Sequence, residues 1–329
     1  MSVFEELLSA GPLVADGATG TALFDLGLET GGCPEQLNVD GSDLISKVHD
    51  GYLEAGADLI LTNTFGGNRA RLQLHNLENR VAELNAAAVQ IARTAADRAG
   101  RPVVVAGSIG PTGELYQPAG PFDPAEGVEM FSEQAAALVD AGVDVLWIET
   151  LSSLEELAAA VEACSGRGVP VTATLSFDTN GHTMMGISPT AFADWWNHDQ
   201  RLAGIGVNCG VGPADNVAAA AGIDRATSGV AIIVKGNCGI PLYKDDALVY
   251  PSGPGAMHDY ATLALRAGAR IVGACCGSSF DHIAAIRQTV DAYQGGDRPE
   301  LREIEATLGE VAKPSGRSGR RTRRSASAG

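Results

Sequence analysis

The chain has 329 residues, 45% of them hydrophobic and 19% charged, and a formal net charge of −17. A folded body this acidic excludes nucleic acid as its partner, six cysteines are too sparse for a disulfide scaffold, and no apolar run approaches the ~20 residues of a membrane span. Residues 1–13 carry Glu5 and Glu6 and no basic cluster, so they do not read as a signal or transit peptide, and a cytoplasmic location is expected.

Short apolar runs, many rich in Val and Ile, recur at residues 13–16, 57–64, 103–107, 143–149, 171–177, 205–209, 230–235 and 269–275. They mostly lack strict polar alternation, as strands buried on both faces of a parallel sheet do. Helical patterns lie between them, over 42–55, 80–99, 124–141, 154–164, 214–221, 255–267 and 280–293. Glycine stands just past several of these and Pro124 just inside one, which is ordinary helix punctuation. A weak internal repeat places a glycine stop between helix and strand: Ala55-Gly56-Ala57-Asp58, Ala141-Gly142-Val143-Asp144 and Ala267-Gly268-Ala269-Arg270. Eight strands alternating with helices predict an α/β fold, a single-domain (β/α)8 TIM barrel, rather than an open doubly wound sheet. No Gly-x-Gly-x-x-Gly follows the first strand, so a dinucleotide fold has no support. The barrel is placed at residues 1–300 and a polar to basic tail at 301–329; residues 310–329 hold six Lys or Arg and one acid, and 316–325 are expected to be disordered.

In such a barrel the active site sits at the C-terminal ends of the strands. Those ends carry Asp16, Thr62-Asn63-Thr64, Ser108, Glu149-Thr150, Asp178, Asn208-Cys209, Lys235-Gly236-Asn237-Cys238 and Cys275-Cys276. Cys209, Cys275 and Cys276 are the metal candidates: three thiolates with one position left open is the ligand count of a catalytic Zn²⁺ site. Adjacent residues of a regular strand face opposite ways, so Cys275 and Cys276 can share an ion only where the strand has ended, and Gly277 permits a turn there. Cys238 competes as a ligand, whereas Cys33 and Cys164 read as structural, and His182, His258 and His282 read as packed or solvated.

Five ordered motifs, Asp16-Gly17-Ala18-Thr19-Gly20-Thr21, Thr62-Asn63-Thr64-Phe65, Ala106-Gly107-Ser108-Ile109-Gly110-Pro111, Gly206-Val207-Asn208-Cys209-Gly210 and Gly273-Ala274-Cys275-Cys276-Gly277, resemble the homocysteine S-methyltransferase family. The resemblance runs from about Leu13 to Ile286 and covers betaine–homocysteine methyltransferases and the homocysteine module of cobalamin-dependent methionine synthase. It implies a zinc-dependent barrel that moves a methyl group to homocysteine, giving methionine, with the three cysteines as zinc ligands. It also implies Glu149 as the acid near the substrate amino group. Asp16 matches the acid of the first motif and either binds substrate or holds the Gly17–Thr21 turn. Gly17, Thr62 and Thr64 stand where backbone N–H groups would meet the substrate carboxylate, and Asn208 either orients substrate or supports Cys209.

The implied donor is a betaine-like onium compound, followed by S-methylmethionine or a separate methylcorrinoid protein. Animal betaine enzymes place aromatic residues where this chain has Gly66 and Thr150. Tyr116, Trp147, Tyr243 and Tyr250 are the candidates for a different aromatic cage, and residues 176–186 resemble bacterial proteins described as betaine–homocysteine methyltransferases. The expected partners are therefore homocysteine and a small methyl donor, with a second copy of the chain or a corrinoid protein as further options, and no membrane. A zinc hydrolase on the same barrel, or a non-catalytic zinc-stabilised binding subunit, are the competing classes. Three sulfur ligands make zinc a weaker Lewis acid and disfavour the hydrolase.

Overall fold

Each of the eight apolar runs becomes a parallel strand of one sheet. The computed structural model describes residues 2–28, 31–244 and 247–312. The strands are β1 (Leu13–Val14), β2 (Leu59–Leu61), β3 (Val104–Ile109), β4 (Val145–Leu151), β5 (Val171–Leu175), β6 (Gly204–Cys209), β7 (Ala231–Gly236) and β10 (Ala269–Ala274). Between β7 and the last strand stands a small antiparallel hairpin, β8 (Leu242–Lys244) with β9 (Ala247–Val249). The sheet runs β1-β10-β7-β6-β5-β4-β3-β2, and a parallel bridge from Ala15 to Leu59 closes it into a ring.

Thirteen helices surround it among the described residues: α1 (Val3–Ala10), α2 (Thr19–Asp25), α3 (Leu37–Asp40), α4 (Ser42–Glu54), α5 (Arg69–Gln73), α6 (Val81–Arg98), α7 (Pro124–Ala141), α8 (Leu154–Cys164), α9 (Pro189–Asp199), α10 (Pro213–Ala226), α11 (Pro254–Arg266), α12 (Phe280–Ala292) and α13 (Leu301–Leu308). None is long and apolar enough to cross a membrane. The three glycines of the internal repeat, Gly56, Gly142 and Gly268, have φ of 99°, 99° and 103°. That left-handed step lets the chain leave a helix and enter the next strand without a Cβ penalty.

The core has two layers. Inside the ring, Leu13, Leu59, Val104, Val145, Trp147, Ile233 and Ile271 pack together, and Phe4 of α1 plugs them from below. Between ring and helices lies the larger layer, which holds Val48, Val89, Phe131, Leu157, Phe192 and Ile286. The helix α1 is absent from the helical patterns of the sequence, and so are α9 and α13. Ser188 caps α9 through the Ala191 N–H and Pro189 opens it, so its signals were present in the chain. The helix α13 falls within residues 301–329, which the sequence places in a tail; its Ile304 is buried against the body, and Ala312 N–H bonds Asp215 at 2.8 Å. The packed body thus continues past residue 300. Residues 316–325, expected to be disordered, lie outside the described residues.

Candidate active site

Strand ends bring distant residues to one rim. At the end of β6, Cys209 pairs with Gly236 of β7, which in turn pairs with Ala274 of β10. The strand between the two cysteine-bearing ends therefore presents a residue with no side chain. The next two residues after β10 are Cys275 and Cys276, so both lie past the strand and the alternation rule no longer separates them. The Cys275 N–H donates to the Gly236 carbonyl and the Cys276 N–H to Asn237 Oδ1. Gly277 follows at φ 82°, and a Cβ there would stand 2.1 Å from the Tyr250 ring. Cys209 itself has φ 54°, a conformation that L residues with a Cβ seldom adopt.

The result is a three-sulfur cluster: Sγ atoms of Cys209, Cys275 and Cys276 lie within 4.8 Å of one another. Among the described residues Cys238 is not in this group; it is fully buried, and its backbone N–H bonds the Cys276 carbonyl. Cys164 is buried in the core, and the Cys33 thiol points to Glu35 Oε2 at 3.3 Å. Cys209 and Cys275 stand 3.0 Å apart as free thiols. Tetrahedral zinc with Zn–S near 2.3 Å has S···S edges of about 3.8 Å, so a small outward movement fits these sulfurs to the ion. Hydrogen bonds from Cys209 and Cys275 hold the Cys276 thiol far below its ordinary value, at about 3. The hydrogen bonds with Cys275 and Cys276 push Cys209 upward. Three thiolates this close repel one another strongly, and a dication relieves that. The donor set is all sulfur and borderline-soft, so the residues present fit Zn²⁺.

A pocket of about 260 Å³ opens beside the sulfurs. Gly17, Thr62, Asn63, Ser108, Glu149, Thr150 and Lys235 line it with the three cysteines, and Glu35, Phe65 and the Ala18–Thr21 turn complete the wall. Glu149, two residues before the end of β4, accepts a 2.6 Å hydrogen bond from Ser108 Oγ. Burial pushes its carboxyl up to about 7, against the opposing pull of Lys235. Thr150 then takes φ 64°, a rare conformation for a β-branched residue. Asn208 holds that turn: its Oδ1 accepts from Thr150 N–H (2.9 Å) and Thr174 Oγ1 (2.7 Å), and its amide reaches Thr150 Oγ1 (2.6 Å) and Glu149 Oε2 (3.4 Å).

Three of the residues read as substrate contacts lie behind the pocket wall. Asp16 is 1% exposed, and both its oxygens are engaged: Oδ1 with Lys235 Nζ at 2.6 Å, Oδ2 with the Leu61 N–H at 2.8 Å. Thr64 is fully buried and gives its hydroxyl to the Ser108 carbonyl, with Thr62 Oγ1 2.7 Å away. Asn208 is likewise fully buried. The four proposed cage aromatics do not converge. Trp147 is inside the barrel, Tyr116 packs on Phe122, Tyr243 stands 74% exposed on the hairpin, and Tyr250 covers Gly277.

Two pocket residues were not singled out from the sequence. Lys235 was only a strand-end residue there, yet it is the buried cation of the site. Burial opposes its charge, but Asp16 and Glu149 outweigh this and hold its ammonium above the ordinary lysine value. A lysine ending an otherwise apolar strand is the signal that would have found it. Glu35 lies in a 3-10 turn (Pro34–Gln36), where no periodic pattern marks it.

Comparison with known proteins agrees with this geometry. Residues 13–290 match the family described as homocysteine S-methyltransferase. The chain is 33% identical over 313 residues to methionine synthase of Mycobacterium tuberculosis, covering 90% of this chain and 26% of that protein. The methionine synthase of Mycobacterium leprae is 31% identical, again over 26% of its length, so the chain spans about a quarter of these relatives. Among solved structures, the homocysteine methyltransferase MmuM of Escherichia coli is similar in its metallated form, with a TM-score of 0.74 and 25% identity over 87% of this chain and 99% of that one. Its oxidized form superposes with a TM-score of 0.75 at 24% identity, covering 88% and 99%.

Proposed function

Because the chain belongs to the homocysteine S-methyltransferase family, we propose that it moves a methyl group from a small onium donor to homocysteine, giving methionine. The observation that carries this reading is the meeting of three cysteine sulfurs from β6 and the β10 turn in a pocket that also holds Glu149. Cys209, Cys275 and Cys276 would hold Zn²⁺. The ion supplies, when bound, a Lewis acid that takes the substrate sulfur as thiolate near neutral pH.

The chain's own residues do the rest. Glu149 takes the homocysteine ammonium, and Ser108 and Asn208 fix the orientation of its carboxylate. Asn208 also fixes the Thr150 turn beside the neighbouring Cys209, so one buried amide sets both ends of the substrate cradle. Asp16, bound to Lys235, acts as a positioning residue for the floor rather than as a substrate ligand. Gly17 to Thr21 line the wall, and apart from the Ala18 N–H, which goes to Ser278 Oγ, the N–H groups of this turn would take the substrate carboxylate. The homocysteine thiolate attacks the methyl carbon, a C–S bond forms, and the donor heteroatom leaves with the bonding pair and becomes neutral.

A methylcorrinoid donor is the second reading, favoured by the likeness to the mycobacterial methionine synthases. A donor panel with homocysteine and the zinc-loaded protein tests both: betaine, S-methylmethionine, S-adenosylmethionine and methylcobalamin. Methionine from betaine or S-methylmethionine is the expected result. Methionine from methylcobalamin alone would replace the first donor reading by the second, and none from any donor would remove the methyltransfer proposal.

A further inference from the structure

One wall of the pocket carries a carboxylate that no cation meets among the described residues. Glu35 is buried, lines the same cavity as the three cysteines, and is held from two sides: Gly66 N–H donates to Oε1 at 2.6 Å and the Cys33 thiol to Oε2 at 3.3 Å. Among the described residues it forms no ion pair, whereas Lys235, the cation lining this pocket, is already matched by Asp16. Position 66 is built around this carboxylate. A Cβ on Gly66 would sit 2.9 Å from Oε1 and 3.3 Å from Cδ, so Glu35 occupies space a side chain at 66 would need. Phe65 is the one aromatic residue on the described pocket wall, so an aromatic box is missing there.

We propose that Glu35 is the donor-recognition residue of this pocket: its fixed carboxylate takes the cationic head of a small onium donor, in place of an aromatic cage. This rests on the onium reading given above. Charge chemistry then dictates how the residue contributes. The donor's onium centre is cationic before transfer and neutral when the methyl has left, because the breaking bond leaves its electron pair on nitrogen or sulfur. The attraction to Glu35 is therefore strongest in the bound ground state and fades as the methyl departs. Such an interaction stabilises the bound donor more than the transition state, so its loss raises the donor KM and raises kcat by a smaller factor.

The test compares an onium with its neutral carbon isostere on the zinc- and homocysteine-loaded protein. Betaine and 3,3-dimethylbutyrate share shape and carboxylate and differ in the central charge. The wild-type protein should bind betaine at least about tenfold more tightly, and Glu35→Gln, which keeps an acceptor for the Gly66 N–H, should abolish that preference. With betaine or S-methylmethionine as donor, KM should rise about tenfold in Glu35→Gln while kcat holds or rises by up to about threefold and the homocysteine KM stays put. Gly66→Ala presses on the same carboxylate from outside and should show the same split, which keeps the test alive if Glu35→Gln misfolds. An unchanged preference in a folded variant, or a wild-type protein that binds the two ligands equally, overturns the role of Glu35. Neither result touches homocysteine methylation itself, which the donor panel judges separately.

Discussion

The two rims of the barrel use charge in opposite ways. At the N-terminal rim, the repeat residues Asp58 and Asp144 each accept an N–H from the neighbouring strand, Val14 at 2.9 Å and Val105 at 2.7 Å. Arginines cover them from outside: Arg287 and Arg101 on Asp58, Arg93 on Asp144. These pairs are 19–35% exposed, so water shares their charge. At the C-terminal rim, Asp16 and Lys235 are almost fully enclosed, three sulfurs crowd together, and Thr150 and Cys209 adopt rare backbone angles. The lower rim is arranged to be held, whereas the upper one stores strain and unbalanced charge where a ligand can relieve them.

The largest test of this contrast removes a sulfur from each environment. Cys276→Ser should take bound zinc from about one per chain to near none and cut methionine formation by at least about 100-fold. Cys164→Ser, inside α8, should keep its metal and lose only melting temperature. Metal analysis beside a melting curve reads both, and undiminished zinc in Cys276→Ser would contradict the assignment of the site.

Next come the ion pairs. Lys235→Met leaves Asp16 buried without a counter-charge and should lower unfolding free energy by ~3–5 kcal/mol. Arg93→Ala at the other rim should cost within about 1 kcal/mol. Equal shifts in denaturant midpoint would erase the distinction drawn here.

The third test is pH. Burial raises Glu149 to about 7, and the residue must be ionised to take an ammonium, so kcat/KM for homocysteine should rise with pH through about 7. In Glu149→Gln that limb should vanish and the homocysteine KM should increase. The stability consequence has the matching sign: a carboxyl raised on folding adds stability below its unfolded value near 4.5, and this is lost as pH rises through about 7. The smallest effect is expected at the repeat glycines. Gly142→Ala meets no neighbour within 4 Å, so only its φ of 99° is penalised, by about 1 kcal/mol of stability, with activity intact.

The barrel and its sulfur centre were legible because they rest on local rules. Strand runs, glycine stops and a Cys-Cys-Gly at a strand end are short patterns, and the parallel topology does the rest of the placement. What stayed hidden depends on long-range pairing. For Asp16 the sequence leaves two roles open, a substrate contact or a brace for the Gly17–Thr21 turn, and neither names Lys235, some 220 positions away, which captures it; only the fold reveals that meeting. Glu35 belongs to a turn without periodicity, and its carboxylate fills the space that a side chain at position 66 would need, a meeting that only the fold reveals. The helix α1 is different: Ser2 and Glu5 form a capping box and Gly11 follows its last residue, so its local signals stand in the chain, and only the plugging of the ring by Phe4 is tertiary.

Asp16 has one more consequence. The seam between β1 and β2 is narrow, joined by the Asp58 N–H to Val14, the Asp16 N–H to Leu59, and the Asp16 carboxylate to the Leu61 N–H. A side chain thus fastens the hoop at its thinnest join, while its other oxygen anchors the lysine of β7, two strands round the ring from β1. Whatever drew that carboxylate upward would unfasten the hoop beneath, so the floor of the pocket and the clasp of the barrel are the same few atoms.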